Sequence, residues 1–356
     1  MSGSPGDGRQ LTQDEVETRN LHLAAADGDL ETIRLLLASG ASPDKRGADS
    51  YSALIYAATY GHVEIVHLLL DAGADANIKS SEQGDTALLC ASYGGYLDVV
   101  EALLRGGAKP DLRNASGNGP LDQAAKSGNA DVVKLLLDFG ADPNAADERF
   151  SGRTALHTAA VVGRCEVAEA LLRGGGLPSL HYTDLEGFTC LHQAAFSERE
   201  GSQDVVKALV WHGAHIDAQV AQVQGRPAAA RYAGCTAVHL ACNKGHAETL
   251  RVLLRLGPCC SARDAVGNTA LHHAAAAGSW CGPSEQHLDC MRQLLVHEVD
   301  LDAQEHDGLT ALHFASCRGD DAMLRVLLGT GPHGPPASLA VRDKSDNTAL
   351  HIAVKT

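Results

Sequence analysis

Short apolar runs alternate with polar segments along this chain, and glycine bounds each pair of runs. Residues 117–145, GNGPLDQAAKSGNADVVKLLLDFGADPNA, show the pattern in one unit. The first run places Leu121 and Ala125 four residues apart, on one face of a helix. Gly128 is placed to end this helix in a left-handed conformation, and a second helix rich in Val and Leu runs up to Gly140. The pattern therefore predicts two short helices per unit, followed by an outward turn.

The same unit recurs through the whole chain. The fourth residue of each Thr-Ala-Leu-His block, or of its equivalent, serves as a marker for one unit. The markers lie 33 to 47 residues apart and are His22, Ile55, Leu89, Asp122, His157, His192, His239, His272, His313 and His351. A repeat near 33 residues is typical of an array whose units bury their apolar faces only by stacking on neighbours. We therefore predict stacked two-helix units over a continuous core.

The chain resembles the ankyrin repeat family. The resemblance is carried by the G-x-T-A-L-H-x-A-A block, the Leu-Leu-Leu of the second helix and the G-A-D-x-N ending, as in 68–78, 135–145 and 153–163. It covers residues 17–356 and implies an all-α repeat solenoid of helix-turn-helix units with β-hairpins or loops between them. We expect about nine full repeats and a C-terminal half repeat. Residues 1–16, rich in Gly, Ser and charge, are predicted to be a disordered lead-in.

The recurring histidine invites a catalytic or metal-binding interpretation, but the resemblance implies a structural one. In each T-x-x-H block the Thr hydroxyl would cap the first helix, and the His side chain would hydrogen-bond backbone near the hairpin. Ile55, Leu89 and Asp122 fill the same place in other units, so the array does not need imidazole everywhere. A metal site also needs several converging ligands.

Composition restricts the class of partner. The formal charge of −15 argues against a nucleic-acid surface, which needs clustered Lys and Arg. No apolar stretch approaches the roughly 20 residues of a membrane span, and the N-terminus lacks the apolar core of a secretory signal. The ten scattered cysteines are interpreted as free thiols in a reducing compartment. We expect a cytoplasmic protein, with the nucleus as the alternative, and no membrane insertion.

The sequence offers no assembled chemistry. It lacks G-x-x-x-x-G-K-[ST], a strand-associated G-x-G-x-x-G, H-E-x-x-H and G-x-S-x-G. Cys281, His287 and Cys290 invite a zinc site, but their spacing is not a zinc pattern, and Cys290 is expected to begin a second helix. The adjacent Cys259 and Cys260 are expected to be two free thiols. We predict no enzyme activity, no metal, no cofactor and no small-molecule substrate.

Three insertions interrupt the period. The longest, 219–233, carries Arg226 and Arg231 in an acidic chain. It is interpreted either as an extended loop that binds a partner or as a tolerated disordered insertion, since lengthening a loop costs little free energy. The segment 279–287 is expected between the two helices of repeat eight, away from the concave groove. The Gly/Pro-rich segment 331–338 is expected to extend a hairpin.

In the ankyrin family, specificity lies on the hairpin tips and on the inner face of the first helices. Half of the 14 aromatic residues fall on these positions: Tyr51, Tyr60, Tyr93, Phe150, Phe188, Phe196 and Tyr232. The charged residues on the same positions are Asp85, Lys126, Arg153, Lys244 and Arg318. Aromatic enrichment is a mark of interfaces. The alternative is that some rings pack across adjacent hairpins and cover the core.

We therefore predict a scaffold or adaptor that binds a polypeptide of mixed charge on the concave face, chiefly across repeats two to seven, helped by the insertion 219–233. The alternative is the substrate-recruiting region of a longer enzyme or ubiquitin-ligase adaptor. The last repeat, 347–356, supplies one helix only, so we expect a fragment of a longer protein. A purely structural spacer would have a featureless concave face, which the aromatic count disfavours.

Overall fold

The computed structural model describes residues 13–47, 50–147, 151–197, 199–223, 225, 230–276, 285–297, 299–329 and 336–355. The chain divides into two compact units, residues 1–150 and 151–356. Both consist of the predicted two-helix repeats, and the prediction of an all-α repeat solenoid is confirmed in the described part of the chain. Two isolated antiparallel bridges, Arg46–Ser52 and Arg342–Thr348, lie in hairpins between repeats.

The described part of the first unit forms four helix pairs. Its helices are α1 (Gln13–Asp27), α2 (Leu30–Ala38), α3 (Ala53–Tyr60), α4 (Val63–Asp71), α5 (Ala87–Gly94), α6 (Leu97–Arg105), α7 (Pro120–Ser127) and α8 (Ala130–Asp138). First helices pack on first helices in chain order, and second helices do the same. Helix α1 begins inside the predicted disordered lead-in, and the remainder of that lead-in, 1–12, lies outside the described residues.

The described part of the second unit forms five helix pairs and one further helix. These are α9 (Ala155–Val162), α10 (Cys165–Arg173), α11 (Cys190–Phe196), α12 (Ser202–Trp211), α13 (Ala237–Lys244), α14 (Ala247–Arg255), α15 (Ala270–Ala276), α16 (Glu285–Leu295), α17 (Ala311–Arg318), α18 (Asp321–Leu328) and α19 (Ala349–Lys355). The first helices again pack in series, from α9 through α19. The expectation of nine full repeats and a half repeat agrees with these pairs and with the four of the first unit.

Glycine and aliphatic residues build each repeat as the sequence pattern predicts. Gly128 ends α7 in the left-handed region, with φ of 92°, and its N–H donates to the Ala124 carbonyl. In α8 the side chain of Leu136 is fully buried, whereas that of its neighbour Leu135 is only half-buried. The core of each unit therefore runs between the two helix layers, and the outer face of the second helices meets solvent.

Helix α16 corrects one expectation. It begins at Glu285, inside the segment 279–287 that was predicted to be an insertion, and Cys290 lies in its middle and not at its start. The turns of α16 bury Leu288, Cys290 and Met291, and this apolar face accounts for the earlier start of the helix. Residues 279–284 and 331–335 of the predicted insertions lie outside the described residues.

No helix in the described ranges is both long enough and apolar enough to cross a bilayer.

Candidate interaction surfaces

Five T-x-x-H blocks in the described residues tie the start of one helix to the hairpin that follows the repeat. The Thr154 N–H donates to His157 Nδ1 at 3.3 Å, and His157 Nε2 donates to the Phe188 carbonyl at 3.3 Å. Because Nδ1 accepts, the ring proton sits on Nε2. The same arrangement recurs at His192, His239, His272 and His313. The predicted structural role of these histidines is confirmed.

The environment of these rings makes them unsuited to catalysis. Burial lowers the pKa of His157, His192 and His239 to about 4, so the imidazoles are neutral near pH 7. Both ring nitrogens already have backbone partners. A neutral ring with both nitrogens engaged neither transfers a proton readily nor offers a lone pair to a metal.

The fourth repeat replaces the histidine tie with two side chains. Asp122 Oδ2 accepts from the Gly119 N–H at 2.8 Å, as a marker histidine accepts from its Thr. Arg113 donates to the same carboxylate at 2.8 Å and to the Ala145 carbonyl at 2.9 Å. The Asp122–Arg113 pair thus connects the start of α7 to the next hairpin, as a single imidazole does in the repeats that have a marker histidine. Burial raises the pKa of Asp122, and the Arg113 charge opposes that shift.

Three of the predicted contact residues line one cleft of the first unit. Asp85, Tyr93 and Lys126 border a cleft of about 300 Å³ between α5 and α7. The Tyr93 side chain is 55% exposed. Lys126 Nζ lies 5.9 Å from the centre of the Tyr93 ring, within cation–π range. Asp85 is held by Asn114 Nδ2, which donates to Oδ1 at 2.8 Å.

The cleft presents a polar and aromatic surface and no activated nucleophile. Cys90 also lines it, and burial raises the pKa of the Cys90 thiol to about 11. A thiol with this pKa stays protonated near pH 7 and is a poor nucleophile. The chemistry available in the cleft is therefore recognition by ring contact, by the Lys126 charge and by the Asp85 carboxylate.

The other predicted tyrosines of the first unit lie on the same kind of position. Tyr60, 54% exposed, ends α3 and stacks on His62 with ring centres 6.4 Å apart. Tyr51 is half-buried, and its ring centre lies 5.8 Å from that of Tyr56. Phe150 lies outside the described residues, as does Arg226 of the insertion 219–233.

In the second unit, three predicted rings form one aromatic cluster. Phe188, Phe196 and Tyr232 meet edge to face, with centres 5.4 to 5.9 Å apart. Phe188 is only 4% exposed, because it packs against Val220 and Leu240 under the other two rings. Phe188 is therefore a core residue, as the alternative interpretation had it, and it offers no ring surface to a partner.

Two cations cover the outer side of this cluster. Lys244 Nζ lies 4.1 Å from the Phe196 ring centre, and Arg231 Cζ lies 5.5 Å from that of Tyr232. Each half-exposed ring thus carries a cation beside it, which leaves an amphipathic surface of rings and positive charge.

Two further predicted residues are held by contacts inside the chain. Arg153 Nε donates to the buried Asp184 carboxylate at 3.2 Å. Arg318 Nη1 donates to the Ala276 carbonyl at 2.9 Å. These bonds position a hairpin and a helix within the second unit, so the proposed contact surface includes neither arginine.

Sequence reasoning missed two features of the second unit. A cleft of about 470 Å³ lies beside α14 and α16, with Arg199, Glu248 and Asp289 among its lining residues. The other is a buried group of Cys235, Asp264 and His273, whose ligand-type atoms lie within 4.8 Å of one another. Cys235 belongs to the seventh repeat, whereas Asp264 and His273 lie nine residues apart in the eighth, so the spacing within one repeat does not reveal the group. The available clue was that the three residues occupy the same repeat positions as Arg153, Asp184 and Gln193.

Comparison with known proteins agrees with this architecture. The family profile described as "Ankyrin repeats (3 copies)" matches residues 21–114, 121–220, 223–282 and 280–356. The chain belongs to the ankyrin repeat family. Ankyrin repeats are protein-interaction modules, and this assignment supports a role in protein–protein interaction.

Individual ankyrin-repeat relatives match parts of the chain. SH3 and multiple ankyrin repeat domains protein 2 of Homo sapiens is 32% identical over 184 residues, 44% of this chain and 9% of that protein. Neurogenic locus notch homolog protein 1 of Danio rerio is 36% identical over 159 residues, 44% of this chain and 6% of its own length. E3 ubiquitin-protein ligase KEG of Arabidopsis thaliana is 31% identical over 151 residues, 35% of this chain and 9% of the ligase. The chain thus spans less than a tenth of each of these proteins.

Proposed function

We propose that this ankyrin-repeat chain is a scaffold or adaptor that binds a polypeptide partner through the inner side of its repeats. The observation that carries the proposal is the cleft of the first unit. There Tyr93, which is more than half exposed, lines one cleft together with a carboxylate, Asp85, and an ammonium group, Lys126. An exposed ring beside charges of both signs suits a peptide that carries an apolar anchor and mixed charge.

The aromatic cluster of the second unit supports a second contact of the same kind. Phe196 and Tyr232 each present a half-exposed ring with a cation beside it. Covering these rings with a partner would cost little side-chain conformational entropy, because packing on Phe188 already orders both rings. Arg231 and Tyr232 belong to the insertion 219–233, so this contact assigns part of the insertion a role in binding.

The test is affinity capture from an extract of the native host, quantified by mass spectrometry. We would compare the wild-type chain with Tyr93→Ala, Lys126→Ala and a matched control, Phe139→Ala. Phe139 is an exposed aromatic residue of the same unit, but it ends the second helix α8. A hot-spot ring loses about tenfold or more of its binding on truncation. We therefore expect a partner that Tyr93→Ala and Lys126→Ala lose and that Phe139→Ala keeps.

Equal capture by all four proteins would remove the inner-side cleft from the proposal. Equal loss in all three variants would indicate a general defect in folding, which unfolding curves of the same samples would show.

A second candidate function is recruitment of substrate for a longer enzyme or for a ubiquitin ligase. The similarity to part of E3 ubiquitin-protein ligase KEG favours it. The same recognition surfaces would then serve a catalytic or docking segment beyond Thr356. Sequencing the full-length transcript decides this candidate, because it either encodes such a segment or does not. The chain itself is proposed to have no enzyme activity and to act in the cytoplasm, with the nucleus as the alternative.

A further inference from the structure

Three positions form a recurring triangle on the inner side of the second unit. The first is the residue four before a marker histidine, the second is a hairpin residue that follows, and the third is the residue one after the next marker. Arg153, Asp184 and Gln193 form one such triangle, joined at Asp184 Oδ2 by bonds of 3.2 and 2.7 Å. At the next junction the triangle is apolar, with Phe188, Val220 and Leu240 in contact.

The third triangle consists of Cys235, Asp264 and His273. His273 Nε2 lies 2.9 Å from Asp264 Oδ2 and 3.6 Å from Cys235 Sγ. Cys235 Sγ lies 4.0 Å from the same Asp264 oxygen. Thus one sulfur, one nitrogen and one oxygen converge on a single point. Cys235 and Asp264 both lie against Nε2 of the ring, so these three residues are not arranged as the relay of a cysteine protease, in which the acid binds the other ring nitrogen.

We propose that Cys235, Asp264 and His273 form a binding site for a divalent cation of Zn²⁺ type. Thiolate, imidazole and carboxylate are the ligands that Zn²⁺ takes in proteins. Zinc bond lengths place tetrahedral ligand atoms about 3.3–3.6 Å apart. The three distances between the ligand atoms, 2.9, 3.6 and 4.0 Å, bracket that range, so loading requires only small side-chain shifts. Water is the usual fourth ligand when a protein supplies three.

Charge supports the same assignment. The Asp184 carboxylate is buried, and the guanidinium of Arg153 supplies positive charge beside it. The Asp264 side chain is almost as buried, at 4% exposed, yet the position that Arg153 holds in the other triangle is taken by the uncharged thiol of Cys235. A cation held by Cys235 and His273 would supply the charge that Arg153 supplies to Asp184.

The neighbouring groups can accommodate the metal-bound form. Asn268 Nδ2 donates to Asp264 Oδ2 at 3.1 Å and fixes the carboxylate. Coordination needs the Nε2 lone pair of His273, so its proton must move to Nδ1. The Asn243 amide lies 3.5 Å from that nitrogen and, turned over, accepts a hydrogen bond from the Nδ1–H through Oδ1. The Cys235 thiol loses its proton to solvent on binding, so one proton is released for each ion bound.

The ion would cross-link two adjacent repeats. Cys235 precedes α13, Asp264 lies in the hairpin that follows, and His273 belongs to α15. Cys235 also contacts the core beneath the aromatic cluster. Loading is thus expected to stabilise the seventh and eighth repeats and to hold Tyr232 in place, whether or not a partner binds there.

The test uses Co²⁺ as a spectroscopic substitute for Zn²⁺ on the full chain after dialysis against chelator and reductant. We expect one equivalent of Co²⁺ to produce a thiolate-to-cobalt charge-transfer band and intense visible bands of a tetrahedral site. Zn²⁺ should displace them and raise the melting temperature. Cys235→Ser and His273→Gln should each weaken binding by at least about tenfold.

Two controls keep the outcome decisive. His273→Gln should fold, because Gln193 already makes the equivalent bond to Asp184 at 2.7 Å, and so its loss of binding reports on the ligand and not on folding. Cys259→Ser removes an exposed thiol and should leave the bands unchanged. A wild-type protein without a charge-transfer band, or a band that survives Cys235→Ser and His273→Gln, overturns the proposal.

Discussion

Tyr93 and Phe188 are two aromatic residues at predicted contact positions of their repeats, and their surroundings give them opposite roles. The Tyr93 side chain is 55% exposed over a cleft, whereas Phe188 is 4% exposed beneath two other rings. The free energy of unfolding depends on Phe188 because its whole ring is removed from water. Tyr93 leaves most of its surface in water, where a partner can reach it.

Alanine substitutions should separate the two roles. Phe188→Ala removes a buried ring and leaves a cavity, so we expect a loss of about 3–4 kcal/mol in the free energy of unfolding. Tyr93→Ala should cost less than about 1 kcal/mol, because little of its surface is buried. Urea unfolding of both variants measures the difference. Equal losses would place the Tyr93 ring in the core and remove it from the proposed surface.

Gly187 is a second residue whose role its surroundings decide. Its φ is 82°, and a Cβ added there would lie 2.2 Å from the Ala221 carbonyl oxygen. Gly213 has φ of 101° and no atom within 4 Å of the same position. Gly213→Ala should therefore cost only the left-handed strain, about 1 kcal/mol. Gly187→Ala should cost at least about twice that, because backbone must move as well.

The melting temperatures of these two variants provide the comparison. A Gly187→Ala protein as stable as Gly213→Ala would mean that the hairpin adjusts without strain.

At the scale of elements, two devices join the start of a first helix to the next hairpin. In the second unit the device is a histidine, and in the fourth repeat it is the Asp122–Arg113 pair. The second and third repeats carry Ile55 and Leu89 at the same position and use neither device. Both devices satisfy the same backbone groups, the N–H at the helix start and a carbonyl of the following hairpin, so the bonds are preserved between them although the side chains differ.

Removal of Asp122 should show how much the Asp122–Arg113 connection contributes to the free energy of unfolding. Asp122→Ala leaves the Gly119 N–H and the half-buried Arg113 without the carboxylate, so we expect a loss of about 2 kcal/mol or more in urea unfolding. Asp131→Ala is the matched control, because its ion pair with Lys134 is exposed and contributes little.

The double variant Gly119→Thr with Asp122→His should recover part of the loss, since it rebuilds the T-x-x-H block. A Cβ at Gly119 meets nothing closer than 3.5 Å, so the threonine has room. Failure of Asp122→Ala to destabilise the protein beyond Asp131→Ala would contradict a structural role for the pair.

The helix pairs could be predicted from sequence because they depend on local spacing. Glycines such as Gly128 mark helix ends, and the four-residue rows of Leu and Val mark the buried faces. The burial of Phe188 could not be predicted in this way. It depends on Val220, which arrives from the long insertion, and on Leu240 of the next repeat. The Cys235–Asp264–His273 group was missed for the same reason, since it forms only when three segments pack.

At the scale of the whole molecule, the two units differ in how they should respond to acid. The buried histidines whose pKa is lowered to about 4, His157, His192 and His239, all lie in the second unit. In the first unit the markers Ile55 and Leu89 do not titrate, and His22 is the one marker histidine. Asp122 has a raised pKa, and this contributes stability that is lost as pH rises and not as it falls.

We therefore expect the second unit to lose stability first on acidification. A histidine with a folded pKa below its unfolded value of about 6.5 contributes stability that is present above that pH and is lost as pH falls toward 4. Each of the three could contribute up to roughly 3 kcal/mol over this window. Hydrogen exchange followed by mass spectrometry at about pH 7 and about pH 5, corrected for intrinsic rates, resolves the two units. Equal loss of protection in both units would contradict this account.

The histidine ties also determine how the second unit would respond to mechanical load. Each of its junctions is crossed by an Nε2–carbonyl bond, from His157 to Phe188 and onward to the bond from His313 to Asn347. Backbone hydrogen bonds between successive hairpins, such as the one that the Ala221 N–H donates to the Gly187 carbonyl, lie beside them. Because the junctions follow one another along the chain, a pull on the two ends would load them in series. Extension would then proceed by discrete steps of one repeat, with the weakest junction yielding first. A ligand bound across a junction between two repeats would reinforce it and raise the force at which that repeat unfolds.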